Sequence, residues 1–429
     1  KASQPNNYRV NGFLGGFLYN LDIPAMKRPP GYSREAMERI SAKYAALSEK
    51  QYGGDGGSME DVNVVSVLAE SFSDPTRLEG MKLAEDPIPH TRELMEQLPH
   101  GQVLTQKTGG GTSSMEFETL TGMSLSQFNS AMDTPYQMLI PNYRTFPSAV
   151  ELFNQLGHKT LAIHPYDATM YQRDHVYPIL GFDDFLSRQE MSHRGRPEEN
   201  PYISDMAAFR ETTDAIEATE EPLFVNLVTM QNHAPYVGKY DNPIKVEGLP
   251  ADGAEMVGQY ARGLTYTDRA IDRFIKKIGR SEEKTIVVVY GDHRPAGQPL
   301  SLFEKNSDRV MHETPFFIYS NFDEPVPVEL PTTSPIHFMP RVFEMAGAPL
   351  PPYYALLREL EGQVSAMQHG RMVSHWDYDL TPETLTPEAR ALLRDYRLVQ
   401  YDLAVGRRWA EEMLYPAPAD TLKASAPGE

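Results

Sequence analysis

Three apolar, β-branched stretches of the chain end on side chains that can do chemistry. Val62–Leu68 runs into Ala69-Glu70-Ser71, Leu223–Thr229 into Gln231-Asn232-His233, and Thr285–Tyr290 into Gly291-Asp292-His293. Oxygen and imidazole donors from Glu70, Asp292 and His293 would suit a divalent cation such as Mn²⁺, Mg²⁺ or Zn²⁺. A fourth segment reads Thr108-Gly109-Gly110-Gly111-Thr112-Ser113-Ser114-Met115-Glu116. Its glycines let the backbone approach a ligand closely, and the start of a helix there would favour a phosphate. A Thr hydroxyl is a weak nucleophile until a metal or base lowers its pKa, so a chemical role for Thr112 depends on the metal site. Each feature has a plainer reading. An acid after a strand fits a turn or cap, and Ser113 with Glu116 fits a capping box in which Thr112 or Ser113 is only the N-cap. The Gly-Asp-His triplet is hardest to explain by packing, because two polar ligands side by side at a buried strand exit serve a core poorly.

The elements that must hold these residues alternate. The predicted strands are Val62–Leu68, Thr160–His164, Leu223–Thr229, Thr285–Tyr290 and Pro315–Tyr319, and between them fall helical patterns near Ser113–Thr121, Ala149–Leu156, Glu255–Ile278 and Ile336–Ala346. This predicts an α/β fold with a mainly parallel central sheet flanked by helices on both faces. Ligands of such sheets gather outside the carboxyl ends of the strands, where the three clusters would open together. Residues 1–60 read as an approach segment, with a helix near Arg34–Glu49 and Gly53-Gly54-Asp55-Gly56-Gly57 as a flexible linker. Residues 61–350 read as the catalytic domain. Residues 351–429, Pro-rich and then helical over Pro387–Tyr415, read as a small C-terminal subdomain.

Composition narrows the function. With 429 residues, 40% of them hydrophobic, the chain can bury a large core, and it holds no run of about 18 apolar residues. Lys plus Arg number 40 against 59 Asp plus Glu, a net charge of -19. Such a surface repels polyanions, so nucleic acid is not an expected partner, and an anionic substrate must be held by local cations or a metal. With no cysteine, thiol catalysis, Cys-zinc sites and disulfides are all excluded.

Taken together, these residues resemble the lipoteichoic acid synthases and related phosphoglycerol transferases, which share the sulfatase and alkaline-phosphatase fold. Asn63–Ser71 (NVVSVLAES) resembles the family's first strand and its metal-binding Glu, here Glu70. Gly109–Gly122 resembles the nucleophile segment, with Thr112 as both catalytic residue and metal ligand, and Tyr290–Arg294 (YGDHR) resembles the metal pair Asp292 and His293. Thr229–Tyr236 (TMQNHAPY) resembles the segment whose His, here His233, contacts the phosphate or leaving group. His164–Arg173 (HPYDATMYQR) resembles the glycerol-phosphate segment, with His164, Tyr171 and Arg173 as substrate-binding residues, Tyr171 standing where many members have Trp and Gln172 where they have Asn. Asn11–Leu21 and Arg397–Trp409 resemble the flanking ends.

The resemblance implies one divalent metal ion, usually Mn²⁺, and a phosphatidylglycerol head group as donor. It implies that Thr112 attacks phosphorus, diacylglycerol leaves, and the phosphoglycerol-threonine intermediate passes its group to a hydroxyl of a glycerol-phosphate chain, a glycolipid or a cell-surface glycan. It also implies a domain on the extracellular face of a bacterial membrane, anchored by transmembrane helices upstream of this chain. The rival activities are hydrolytic. Ser73-Asp74-Pro75-Thr76-Arg77 matches the string that a sulfatase converts to formylglycine, though it lies three residues after Glu70. A two-zinc phosphatase would need further ligands, for which His312 and His337 are spare.

Overall fold

A computed structural model describes residues 24–324 and 326–415; the Asn11–Leu21 resemblance lies outside them. One sheet of eight strands organises the chain: β1 Asn63–Ala69, β2 Pro99–Leu104, β3 Lys159–His164, β4 Asp184–Ser187, β5 Leu223–Val228, β6 Thr285–Gly291, β7 Glu313–Ser320 and β8 Val328–Glu329. Their order across the sheet is β8-β2-β7-β6-β1-β5-β3-β4. Only β7 is reversed, pairing antiparallel with both β6 and β2. The sheet is therefore mainly parallel, as the alternating pattern predicts.

β1 and β6 are buried along their whole length, which is why they read as continuous β-branched runs instead of alternating ones. Their side chains feed two cores. Val64, Leu68, Val288 and Tyr290 face one way and join Met115, Phe117 and Leu120 of helix α2 (Thr112–Thr121) with Val342 and Phe343 of α7 (Phe338–Met345). Val65, Val67, Val287 and Val289 face the other way, against α5 (Asp205–Ala218) and α6 (Ala251–Ile278). The remaining helices used below are α1 (Arg34–Gln51), α3 (Ala149–Gln155), α4 (Arg173–Leu180), α8 (Pro352–Glu361) and α9 (Pro387–Ala404). After residue 351 the chain forms α8, a three-stranded sheet over Val364–Gln368, Arg371–Ser374 and Asp379–Leu380, and α9. Leu356 and Leu360 of α8 and Tyr396 of α9 belong to the same core as Leu68.

Some elements escaped prediction. β2 starts on Pro99 and contains Gly101, β4 has four residues and β8 two, so none carries a periodic signal. The glycine run at 53–57 is not a flexible linker. Asp55 and Gly57 both donate their N–H to Gly347 O, at 2.9 and 3.1 Å. A Cβ on Gly54 would lie 2.5 Å from Gly347 O, and one on Gly57 2.0 Å from Ala346 O. The glycines permit a close backbone docking onto the turn after α7. No helix among the described residues is long and apolar enough to cross a membrane.

Candidate active site

Parallel pairing sets Ala69 beside Gly291 and Leu68 beside both Tyr290 and Val228. The residues that follow β1, β5 and β6 therefore emerge at one edge of the sheet. Glu70, Asp292 and His293 each offer one ligand atom, and these atoms lie within 4.8 Å of one another. All three side chains are buried. Glu70 N–H donates to Thr229 Oγ1 at 3.1 Å, tying β1 to the end of β5. Ser71 turns at φ +49°, sends its N–H to Asp292 Oδ1 at 2.7 Å and its hydroxyl to Glu70 Oε1 at 2.8 Å. Gly291 is needed because a Cβ there would lie 1.8 Å from Phe72 O.

The electrostatics of this group are unfinished. His293 Nδ1 faces Arg294 O at 2.8 Å and so carries the proton of a neutral ring. Its Nε2 lone pair then points at Asp292 Oδ2 at 3.2 Å and Glu70 Oε1 at 3.7 Å. Lone pairs at that distance repel unless something positive lies between them. Asp292 Oδ2 is buried and has no hydrogen-bond partner among the described residues. Burial, with the Glu70 charge adding to it and His293 opposing, pushes the Asp292 carboxyl up to about 7. Burial would lower the His293 imidazole, but Asp292 and Glu70 outweigh it and the net shift is upward. Two carboxylates, one imidazole nitrogen and an orphaned buried oxygen fit a divalent cation.

Thr112 lies beside the cluster. Gly109, Gly110 and Gly111 take φ of +70°, +144° and +93°, a path open to glycine alone, and a Cβ on Gly109 would meet Ala296 Cα at 2.8 Å. Gly111 is the N-cap of α2, with no side-chain cap bond. Neither capping alternative forms, and Thr112 stands as the first helical residue. Its hydroxyl donates to Glu70 Oε2 at 3.3 Å, and the open N–H groups of the first turn lie beside it.

The residues expected on the substrate side are more occupied than the sequence suggests. Arg173 is fully buried at the start of α4. Its Nε and Nη2 both donate to Glu116 Oε2, at 3.2 and 2.9 Å, and its Nη1 donates to His164 Nε2 at 3.3 Å. The fork expected to grip a phosphate is engaged with Glu116. His164 donates from Nδ1 to Val228 O at 2.9 Å, so both of its nitrogens are used, and burial together with Arg173 holds its pKa well below the usual value. Tyr171 and Gln172 take left-handed φ of +59° and +60°. This lays the Tyr171 ring 5.2 Å from the Arg173 guanidinium. His233 is half-buried on the loop after β5, its Nδ1 2.9 Å from Ala234 O.

Glu116 is the residue that sequence reasoning placed in the wrong role. It also accepts from Asn226 Nδ2 at 3.0 Å and Tyr177 Oη at 2.5 Å, on Oε1. The lone Asn within the apolar LFVNLV strand was the visible signal. His312 bonds Asp308 O at 2.8 Å, while His337 is buried with its pKa lowered by desolvation to about 4, and neither joins the cluster. In the Ser73–Arg77 string, Ser73 Oγ is buried against Tyr260 Oη at 2.8 Å and Asp74 caps the turn that follows.

Comparisons with known proteins place the fold in a family. The sulfatase family profile matches residues 62–348. The "Putative cyclic beta-1,2-glucan modification protein" of Rhizobium meliloti is 31% identical over 98% of this chain and 66% of its own length. The lipoteichoic acid synthase of Staphylococcus saprophyticus is 26% identical over 55% of this chain. The chain spans about two thirds of the first relative and 36% of the second. The solved Streptococcus pyogenes phosphoglycerol transferase GacH, in complex with sn-glycerol-1-phosphate, superposes with a TM-score of 0.82 and 28% identity, covering 92% of this chain and all of that one. The lipoteichoic acid synthase LtaP from Listeria monocytogenes shares the fold, with a TM-score of 0.59 and 18% identity over 90% of this chain and 99% of that one. The chain belongs to the sulfatase family.

Proposed function

We propose that this sulfatase-family chain is the catalytic domain of a phosphoglycerol transferase, with Thr112 as nucleophile and Glu70, Asp292 and His293 as the protein ligands of one divalent cation, Mn²⁺ by preference. The observation that carries it is the Thr112 hydroxyl, first residue of α2, donating to Glu70 within the carboxylate and imidazole cluster. A cation bound there lowers the pKa of the hydroxyl and neutralises charge on the phosphoryl oxygens. Thr112 Oγ1 forms its bond to phosphorus as the bond to the diacylglycerol oxygen of phosphatidylglycerol breaks. The Thr112 proton leaves along its hydrogen bond toward Glu70, and His233, entering this half with both nitrogens protonated, gives its Nε2 proton to the departing oxygen. In the second half an acceptor hydroxyl attacks phosphorus and gives its proton to Nε2 of the now neutral His233, while Thr112 departs and takes back the proton held at Glu70. The first-turn N–H groups of α2 supply the positive field for the phosphoryl oxygens.

Likeness to a phosphoglycerol transferase holding glycerol phosphate supports the donor group. Likeness along 98% of the chain to a glucan-modification protein favours a glucan hydroxyl as acceptor over a growing lipoteichoic acid chain. The domain would then work on the outer face of the membrane that supplies its lipid.

Incubation with fluorescent phosphatidylglycerol and Mn²⁺ tests this. Without acceptor, wild type releases diacylglycerol and accumulates a glycerol-phosphate adduct on the peptide containing Thr112, read by mass spectrometry. Thr112→Ala releases none. An adduct on Ser113 or Ser114 moves the nucleophile, and a fully active Thr112→Ala ends the double displacement.

A further inference from the structure

We infer that Lys239, acting with Tyr202 and Tyr236, is a positioning residue that fixes His233 and couples its loop to Glu70. The inference rests on the reading above for the role of His233. Lys239 is 3% exposed, which is costly for an ammonium unless the fold uses the charge. Among the described residues none of its hydrogen-bond partners is a carboxylate. Nζ donates to His233 O at 2.5 Å and lies 3.5 Å from Gln231 O, so it gathers two carbonyls of the turn that carries His233. It sits over the ring of Tyr202 at 4.8 Å and that of Tyr236 at 5.6 Å, cation–π contacts that replace part of its lost hydration. Its own backbone is anchored, Lys239 N–H donating to Gln259 Oε1 of α6 at 3.1 Å.

The two tyrosines carry the consequence in opposite directions. Tyr202 Oη donates to Ala234 O at 2.7 Å and lies 3.3 Å from His233 Nδ1. With its proton on Ala234 O, that hydroxyl offers Nδ1 only lone pairs, as does Ala234 O itself at 2.9 Å. Nδ1 therefore holds the proton of the neutral ring, and Nε2 is left free to exchange a proton with a substrate oxygen. Tyr236 Oη donates to Ser71 Oγ at 3.2 Å, whose hydroxyl donates to Glu70 Oε1. One ammonium thus braces the loop of the proton-transferring residue and, through a tyrosine and a serine, the carboxylate beside the nucleophile.

The test compares wild type with Lys239→Met, Lys239→Arg and Tyr202→Phe, all loaded with Mg²⁺ so that ¹⁵N-histidine spectra stay sharp. In Lys239→Met, kcat falls by about tenfold or more, while KM and metal content stay within about twofold. The His233 nitrogens shift from the Nδ1–H pattern toward a mixture of tautomers, and Lys239→Arg restores part of both. Tyr202→Phe shows the same spectral change with a smaller loss of kcat. A folded Lys239→Met with wild-type kcat and an unchanged His233 signature overturns the inference. If Lys239→Met does not fold, Tyr202→Phe decides, and an unchanged signature there overturns it equally. A wild type that transfers nothing from phosphatidylglycerol would end the functional reading, while the His233 spectra would still report whether Lys239 positions the ring.

Discussion

Thr112 and Glu116 stand one turn apart on α2, yet the acidic clusters they join are built in opposite ways. Around Glu116 every demand is met: Oε1 receives Asn226 and Tyr177, Oε2 receives two N–H groups of Arg173, and the guanidinium cancels the charge. Around Glu70 and Asp292 two carboxylates share one imidazole nitrogen, and Asp292 Oδ2 has no hydrogen-bond partner among the described residues. Burial is equal, so burial does not separate scaffold from ligand site. What separates them is whether the buried charge is already paired.

The sharpest way to break this contrast is Arg173→Ala. Removing one partner of a complete buried pair costs about 3–5 kcal/mol, which urea denaturation will read. A loss below about 1 kcal/mol would mean that Glu116 is not held as described. The expected result for Asp292→Asn has the opposite sign. With no metal present, relief of repulsion against Glu70 leaves the protein as stable as wild type or up to about 1 kcal/mol more so, and the rise in Tm on adding Mn²⁺ disappears. A metal-free Asp292→Asn protein destabilised as much as Arg173→Ala would erase the distinction.

Glu118, also on α2, sharpens it on a smaller scale. Its Oε1 accepts from Leu125 N and Gln106 Nε2 at 2.7 and 2.9 Å, but no cation among the described residues bonds it, and burial pushes its pKa up to about 8. A folded-state pKa above the unfolded one means that the native state binds more protons. Its contribution to stability is full below pH 4.5, the ordinary glutamate value, and is lost as pH rises toward 8. Glu118→Gln should lie within about 1 kcal/mol of wild type at pH 6 and show a flatter stability profile between pH 5 and 8. An unchanged profile would place the titration elsewhere.

Much of this was legible in the sequence, for a physical reason. β1, β5 and β6 are central strands buried on both faces, and such strands must be written as β-branched runs. Their exits, Glu70, His233 and the Asp292-His293 pair, follow by position once the strands are parallel. Thr112 stayed ambiguous between cap and nucleophile because both begin a helix; the glycine N-cap removes the first reading, and the bond to Glu70 supports the second. The Glu116 cluster was not legible, since Arg173, Tyr177 and Asn226 lie 57, 61 and 110 residues away. The glycines at 54 and 57 misled because absence of a side chain signals mobility and close contact alike.

Tyr171 and Gln172 are both left-handed without being glycine, and each such residue costs about 1–2 kcal/mol. The surrounding contacts must hold this strain through every moment when no substrate is bound. On the proposed reading, in which Tyr171 lines the donor site, its ring has one orientation before an encounter, so little of its freedom remains to be surrendered on association. Glycine at either position would relax the backbone and make the folded chain easier to form, while adding entropy that each incoming donor would then have to quench. On that reading the turn at 171–172 gives up folding free energy so that binding starts from an ordered surface.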